Sequence, residues 1–260
     1  MKVVILCGGL GTRLREETEF RPKPMVNIGT RPILWHIMKI YAHYGHTDFI
    51  LALGYKGEMI KEYFMHYEIM NNDVTIELGK PDSISLHNTH QEIGWRITLA
   101  STGDKTLKGA RLKKVEKYIE DDTFMITYGD GVADIDINAL VEFHKSHGKI
   151  ATLTGINPAA RFGELKIKDN RVEAFYEKPS NSKRNLINGG FYIFNKEIFN
   201  YISEDDNCDL EYGPMEKIAK EGELMVYRHD GYWACMDNIR DVEYLNKIWE
   251  EGNAGWHIWN

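Results

Sequence analysis

The sequence predicts an α/β fold in three layers, a mixed, mostly parallel sheet with helices on both faces. Three observations predict it. Short β-branched runs alternate with stretches of helical spacing through the first 155 residues, the pattern of strand–helix–strand units. The strand-like runs are apolar at successive positions, as strands covered on both faces must be. Two glycine-rich turns follow directly on such runs, at the strand carboxyl ends where sheets of this kind bind ligands.

In order along the chain, Val3-Val4-Ile5-Leu6 is a buried strand stopped by glycines. Pro32 opens a helix; Ile33, Leu34, Ile37, Met38, Ile40, Tyr41 and Tyr44 continue it at helical spacing, and Gly45 stops it. Phe49 to Leu53 is a second buried strand and Met59 to Met65 a second helix. Val74 to Leu78 is strand-like, and the polar, aperiodic Lys80 to Glu92 reads as an exposed excursion. Ile97 to Ala100 is a strand, and Leu112, Val115, Tyr118 and Ile119 line one face of a charged helix. Thr123 to Tyr128 is a strand ending in Gly129-Asp130-Gly131; a helix through Leu140, Val141, Phe143 and His144 and a strand from Ile150 to Thr154 follow. From Phe162 onward strands dominate, at Leu165 to Ile167, Val172 to Tyr176, Phe191 to Phe194 and Leu224 to Tyr227. Short helices near Ile198 and Ile218 interrupt them, and a last helix runs from Ile239 to Trp249. No internal repeat, low-complexity tract or linker divides the chain, so residues 1–260 read as one domain.

The 260 residues carry 32 Lys and Arg against 39 Asp and Glu, a net charge of −7. That balance argues against a nucleic-acid coat, which needs a basic face, but leaves room for a local basic pocket for a small anion. Cys7, Cys208 and Cys235 form an odd set without CxxC spacing, which suggests neither a disulfide framework nor a zinc cluster. The first apolar run is too short for a signal peptide, and nothing approaches the roughly 18 apolar residues of a membrane span. The expectation is a soluble cytoplasmic protein with no nucleic-acid or membrane partner.

Three motifs carry chemistry. In Leu6-Cys7-Gly8-Gly9-Leu10-Gly11-Thr12-Arg13-Leu14, glycines let backbone N–H groups crowd an anion, and the dipole of a following helix would add to this. A dinucleotide fingerprint would need a third glycine where Leu14 stands, and a P-loop would need Gly-Lys-Ser/Thr. What remains is a glycine loop with two cations beside it, Arg13 and Lys23, which suits a triphosphate. In Thr127-Tyr128-Gly129-Asp130-Gly131, a carboxylate at a strand end is a natural Mg²⁺ ligand, and Gly-Asp-Gly is equally good β-turn chemistry. In Met236-Asp237-Asn238-Ile239, Asp237 precedes a helix, and on local grounds an N-cap is the preferred reading.

Together the Gly8–Leu14 loop, Pro22-Lys23, the Gly-Asp turn, Glu177-Lys178-Pro179 and the late Asp237 resemble the sugar nucleotidyltransferase family. A closer likeness, to members that take CTP and glucose 1-phosphate, is carried by Lys23-Pro24-Met25-Val26, by Pro32 to Lys39 and by Gly54-Tyr55-Lys56-Gly57. Tyr128 to Asp134, Asn188-Gly189-Gly190-Phe191, Met236-Asp237, Trp249 and Trp256 continue it, so it spans nearly the whole chain. Cys7 departs from the alanine usual in the family, a small-for-small change. The resemblance implies a Rossmann-like sheet of the GT-A-like kind, with about 1–155 as nucleotide-binding core, about 156–235 as sugar-binding part and about 236–260 as C-terminal helix and tail. It implies that Leu6, Cys7, Gly8, Gly9, Leu10, Gly11, Thr12 and Arg13 wrap base and phosphates, and that Lys23 neutralises the phosphates. Asp130 and Asp237 would hold Mg²⁺, against the local N-cap preference; Lys23, Arg13 and Asp130 would be the catalytic residues. Thr106, Arg111 and Gly129 would help hold the nucleotide, and Glu177, Lys178, Asn188 and Gly189 would face the sugar phosphate. It further implies a homo-oligomer and an early step in making deoxysugars for a bacterial surface polysaccharide such as a lipopolysaccharide O-antigen.

The implied reaction joins two polyanions, so it needs charge neutralisation and in-line positioning rather than a nucleophilic triad. The competing readings are the same reaction with dTTP, UTP or GTP, a non-catalytic nucleotide sensor, and an oxidoreductase, the last disfavoured by Leu14. His87-x-x-His90 and His144-x-x-His147 lack Cys or Glu partners and read as solvated side chains. Trp249, Trp256 and Trp259 read as packing for the tail or a subunit contact. Apart from Arg111, the run Arg111-Leu112-Lys113-Lys114 reads as a helix face.

Overall fold

A computed structural model describes residues 1–80, 83–157, 164–168, 171–176 and 186–259. Its main sheet contains β1 (Val3–Cys7), β2 (Asp48–Leu53), β3 (Arg96–Ser101), β4 (Thr123–Tyr128), β5 (Ala151–Ile156), β6 (Ile187–Asn195) and β7 (Leu224–His229). The order across the sheet is β7-β5-β6-β4-β1-β2-β3. β1 pairs in parallel with both β2 and β4, β2 with β3, and β5 with β7; β6 runs antiparallel between β4 and β5.

Strand alternation sorts the core into two layers. Val3, Ile5 and Cys7 face one cluster and Val4 and Leu6 the other, all at most 5% exposed. On the first face lie α1 (Ile33–His43), α2 (Gly57–Met65), α4 (Ile137–His147) and α5 (Ile239–Glu250). On the second lie α3 (Lys108–Val115), the turn Lys196–Asn200 and the short helix Glu216–Lys220. The three-layer, mostly parallel architecture expected from the sequence is the one observed. Among the described residues no helix is long and apolar enough to cross a membrane.

The reversed strand β6 matters for function. Because it runs against its neighbours, its amino end, not its carboxyl end, lies at the carboxyl edge of β4 and β1. Phe191 pairs with Thr127, so Asn188-Gly189-Gly190 arrive beside the end of β4. Gly190 has φ +82°, and its bare Cα lets the Tyr128 ring close over it; an added Cβ would lie 2.8 Å from Tyr128 Cδ2.

Several expectations need correction. The Lys80 to Glu92 excursion is mostly exposed among its described residues, as expected, but it holds a strand: Ile84–Leu86 pairs antiparallel with Val74–Ile76. Its far end is anchored, with Glu92 buried and accepting a hydrogen bond from Trp35 Nε1 at 3.1 Å. Tyr118 leaves the buried face of its helix because α3 ends at Val115 in a tighter turn, Glu116–Tyr118. His144 is not solvated but buried, bonded through Nδ1 to Thr152 Oγ1 (2.8 Å) and through Nε2 to Asn195 Oδ1 (3.0 Å). His147 also reaches Thr152 Oγ1, at 2.8 Å. His90 contacts Glu68 at 3.0 Å and Glu92 at 3.2 Å. The tail tryptophans pack within the chain: Trp249, Trp256 and Trp259 surround His36, which is fully buried. His36 Nε2–H donates to Ile28 O at 3.0 Å and its Nδ1 accepts from Trp256 Nε1 at 3.4 Å. Burial pushes this imidazole down to a pKa of about 4.

Candidate active site

A cleft of about 410 Å³ opens at the carboxyl edge of β1 and β4, between the glycine loop and the start of β6. Leu6, Gly8, Gly9, Gly11, Thr12 and Arg13 line its first wall. Gly9 and Gly11 have φ of +134° and +59°, conformations that favour glycine. Gly11 also lies so close to Thr18 that an added Cβ would meet Thr18 Cγ2 at 2.5 Å. The chain after the loop is one tight turn, Thr12–Leu14, and a four-residue helix, Arg15–Thr18, so the expected helix dipole contributes less than a long helix would. Cys7 is buried beneath the loop, where burial pushes its thiol pKa up, and Leu10 points outward at 50% exposure.

Lys23 reaches the cleft from a turn, Lys23–Met25, whose Pro24 lies against Gly129. A Cβ on Gly129 would come within 2.9 Å of Pro24 Cγ and 3.0 Å of Leu6 O, so glycine there permits the approach. Lys23 Nζ then lies 2.6 Å from Asp130 Oδ2 and 2.8 Å from Asp237 Oδ1. Burial lowers the Lys23 pKa, but the two carboxylates outweigh it and leave it above the usual 10.5. Arg13 Nη1 bonds the other oxygen of Asp237 at 2.9 Å, with its side chain 77% exposed.

Asp130 and Asp237 are brought together by a small ribbon in which Gly131–Ala133 pairs with Trp233–Cys235, closed by Met236 N–H donating to Asp130 O at 2.9 Å. Asp237 is not the helix cap. Asn238 takes that position in a capping box with Asp241, which leaves the Asp237 carboxylate turned to the cleft. Asp130 and Asp237 supply hard carboxylate oxygens of the kind a divalent cation takes, here shared with Lys23 and Arg13.

Arg111 and Thr106 do not line the cleft. Arg111 lies under the loop, 2% exposed, packed between Gly8 and Gly54, where any side chain would collide with its guanidinium. It donates to Thr102 Oγ1 (2.7 Å), Gly103 O (2.6 Å), Asp104 O (3.1 Å) and Leu53 O (3.2 Å), so it ties Leu53 to residues 102–104 and packs beneath the loop at Gly8. Thr106 is also buried, and its hydroxyl donates to Asp206 Oδ1 at 3.0 Å. Glu177 and Lys178 lie outside the described residues.

Asn188, Gly189 and Gly129 line the cleft, on the wall that faces the loop. Sequence reasoning missed Tyr128, Lys108 and Trp233, which share that second wall. Trp233 Nε1–H donates to Gly189 O at 2.8 Å and holds the start of β6 in place. Lys108 Nζ lies 5.4 Å from the centre of the Tyr128 ring and 2.6 Å from Glu211 Oε2. Burial raises the Glu211 pKa, with the neighbouring Asp209 adding to the rise and Lys108 opposing it. No local pattern marks these residues; they come from the end of β4, the start of α3 and the strand Trp233–Cys235, and are brought together only by the fold.

A glycine loop facing a lysine shared by two carboxylates, at the edge of a mostly parallel sheet, defines a phosphate-binding α/β protein built for group transfer between anions. The family model described as "Nucleotidyl transferase" matches residues 2–253, and the chain belongs to that family. It is 49% identical to the glucose-1-phosphate cytidylyltransferases of Salmonella typhimurium and Salmonella typhi, over 260 residues and the whole of each chain. Its fold is similar to that of a UDP-glucose pyrophosphorylase solved with UDP-glucose, with TM-score 0.68, 14% identity, and 96% of this chain and 98% of that one covered. The shared fold is of the GT-A-like kind.

Proposed function

We propose that this chain transfers a cytidylyl group from CTP to α-D-glucose 1-phosphate, giving CDP-glucose and pyrophosphate. The observation that carries the reading is Lys23 held between Asp130 and Asp237 at the mouth of the glycine loop. Full-length identity of 49% to glucose-1-phosphate cytidylyltransferases supports the choice of both substrates. A phosphate oxygen of the sugar phosphate attacks the α-phosphorus in line, the bond to the β-phosphate oxygen breaks, and its electron pair leaves with pyrophosphate.

The loop's N–H groups and Arg13 receive the triphosphate, and Lys23 neutralises charge as the two anions meet. Asp130 and Asp237 would hold Mg²⁺, which supplies a further positive charge on the phosphate oxygens. Asn188 and Gly189 meet the sugar phosphate on the far wall, within the part of the chain, about 156–235, that we assign to the sugar. Arg111 serves the nucleotide indirectly, by fixing the loop. The test is pyrophosphate release from glucose 1-phosphate and Mg²⁺ with CTP, dTTP, UTP, GTP or ATP offered separately. Preference for CTP is expected. Release with another base would overturn the CTP assignment and keep the transfer chemistry, and no release with any would overturn both.

A further inference from the structure

Behind the second wall, side chains from four separate segments form a single chain of hydrogen bonds. The Tyr128 hydroxyl donates to Glu211 Oε1. It lies 2.5 Å from the Tyr192 hydroxyl, and Tyr192 in turn receives Asn188 Nδ2–H. Asn188 Nδ2 also lies 3.3 Å from the Tyr128 hydroxyl, and Asn188 Oδ1 accepts Gly190 N–H at 2.9 Å. Lys108 Nζ, 2.6 Å from Glu211 Oε2, backs the carboxylate. Tyr192 is fully buried and does not line the cleft; Asn188 does.

Proton counting fixes the direction of this chain. A tyrosine has one hydroxyl proton. Tyr128 gives its proton to Glu211, so Tyr192 must give its own to Tyr128, and the Tyr192 oxygen is left to accept from Asn188. The Asn188 amide nitrogen therefore points at Tyr192, and its oxygen at Gly190 N–H. The amide nitrogen is turned to both tyrosine hydroxyls, and the amide oxygen, which accepts Gly190 N–H, keeps one lone pair to offer the cleft. With Lys108 at Oε2 and the Tyr128 hydroxyl at Oε1, Glu211 is the accepting end of the chain, and such bonds polarise one another along it.

We infer that Glu211 is a positioning residue for the sugar phosphate, acting through Tyr128 and Tyr192 to lock the orientation of the Asn188 amide that meets the sugar. The inference rests on the proposed function, since it needs a sugar phosphate at this wall. It assigns selection among sugar hydroxyl patterns to a carboxylate that itself stays behind the wall.

The test compares Glu211→Gln and Tyr192→Phe, alone and in an Asn188→Ala background, with pyrophosphate release followed under varied CTP and varied glucose 1-phosphate. Thermal melting confirms folding, and Tyr192→Phe, which removes one oxygen from a buried ring, keeps the comparison open should Glu211→Gln fold poorly. Each single change is expected to raise KM for glucose 1-phosphate about fivefold, the effect of one lost hydrogen bond. KM for CTP and kcat should stay within about twofold, and neither change should add to the effect of Asn188→Ala, because residues acting through one group are not additive. An unmoved KM for the sugar phosphate in both folded variants overturns the inference. So does an equal rise for both substrates, or the same rise persisting without Asn188. Each of these requires an active wild type, so the proposed function survives them; a wild type that releases no pyrophosphate would overturn that function and the relay together.

Discussion

The two walls of the cleft hold their ligands by different physics. The first is charged: Arg13 and Lys23 face the site, Arg111 lies beneath the loop, and Asp130 and Asp237 balance them. The second carries one cation, Lys108, paired with Glu211 behind it, and is otherwise lined by the neutral Asn188, Gly189, Tyr128 and Trp233. Charge acts over several ångströms and tolerates small displacements, so in the proposed reaction the first wall would govern the rate at which two anions react. Hydrogen bonds are short and directional, so the second wall would govern which sugar is accepted. Substitutions should therefore separate: first-wall changes in kcat or in KM for CTP, second-wall changes in KM for the sugar phosphate.

The largest effect is expected at Lys23. Lys23→Ala removes the ammonium and leaves Asp130 and Asp237 facing each other across the position it filled. Turnover should fall about 10²-fold or more, the cost of losing one preorganised charge in a closed site. Steady-state pyrophosphate release at saturating substrates measures it, and near-normal kcat would break the distinction between the walls.

A residue in neither wall provides the control. His36 is buried among the tail tryptophans with its pKa lowered from 6.5 to about 4. Between those values the unfolded chain binds a proton that the folded chain refuses. Its contribution to stability is thus intact above pH 6.5 and is lost progressively as pH falls to about 4, by roughly 3 kcal/mol. His46 and His144, also lowered by burial, act in the same direction. Urea unfolding at pH 7, 5.5 and 4.5 should show the decline, and His36→Gln should remove part of its slope. Stability that stays flat over this range would contradict the buried neutral imidazole.

On the second wall, Asn188→Ala should raise KM for glucose 1-phosphate about tenfold, the loss of one to two hydrogen bonds, with KM for CTP unchanged. Equal movement of both constants would mean that the wall supports the whole cleft and selects nothing.

The difference between the walls also explains how much could be read from the residues alone. The glycine loop, Arg13 and Lys23 lie close together in sequence, and strand–glycine–cation spacing is a local signal. The sheet was legible for the same reason, since strands buried on both faces leave runs such as Phe49-Ile50-Leu51-Ala52-Leu53. Asp237 was misread locally by one position, because Asn238 is an equally good cap and Asp241 completes its box. Arg111 was expected to hold the nucleotide, yet it lies beneath the loop where Gly8 and Gly54 clear the space it fills, and that pairing exists only once β1 and β2 lie side by side. Tyr128, Lys108 and Glu211 carry no local mark. They come from β4, α3 and the segment at Glu211, and meet only in the folded chain, which no short stretch of sequence displays.

The smallest effect is expected at Arg13, and it divides the charged wall within itself. Arg13 and Lys23 both bond Asp237, but the Arg13 side chain is 77% exposed and that of Lys23 15%. Exposed pairs are screened by salt over roughly 8 Å at physiological ionic strength, and partly buried pairs much less. Arg13→Ala should raise KM for CTP about threefold at low salt and still less at high salt, with kcat little changed. The deficit of Lys23→Ala should persist at every salt concentration, because its charge acts where water is largely excluded. Measuring both variants across a salt series tests whether the first wall is one uniform basic surface or a steering arginine outside a fixed catalytic lysine. A salt-independent loss in Arg13→Ala as deep as that of Lys23→Ala would show the two cations to be equivalent, and exposure would then be no guide to their roles.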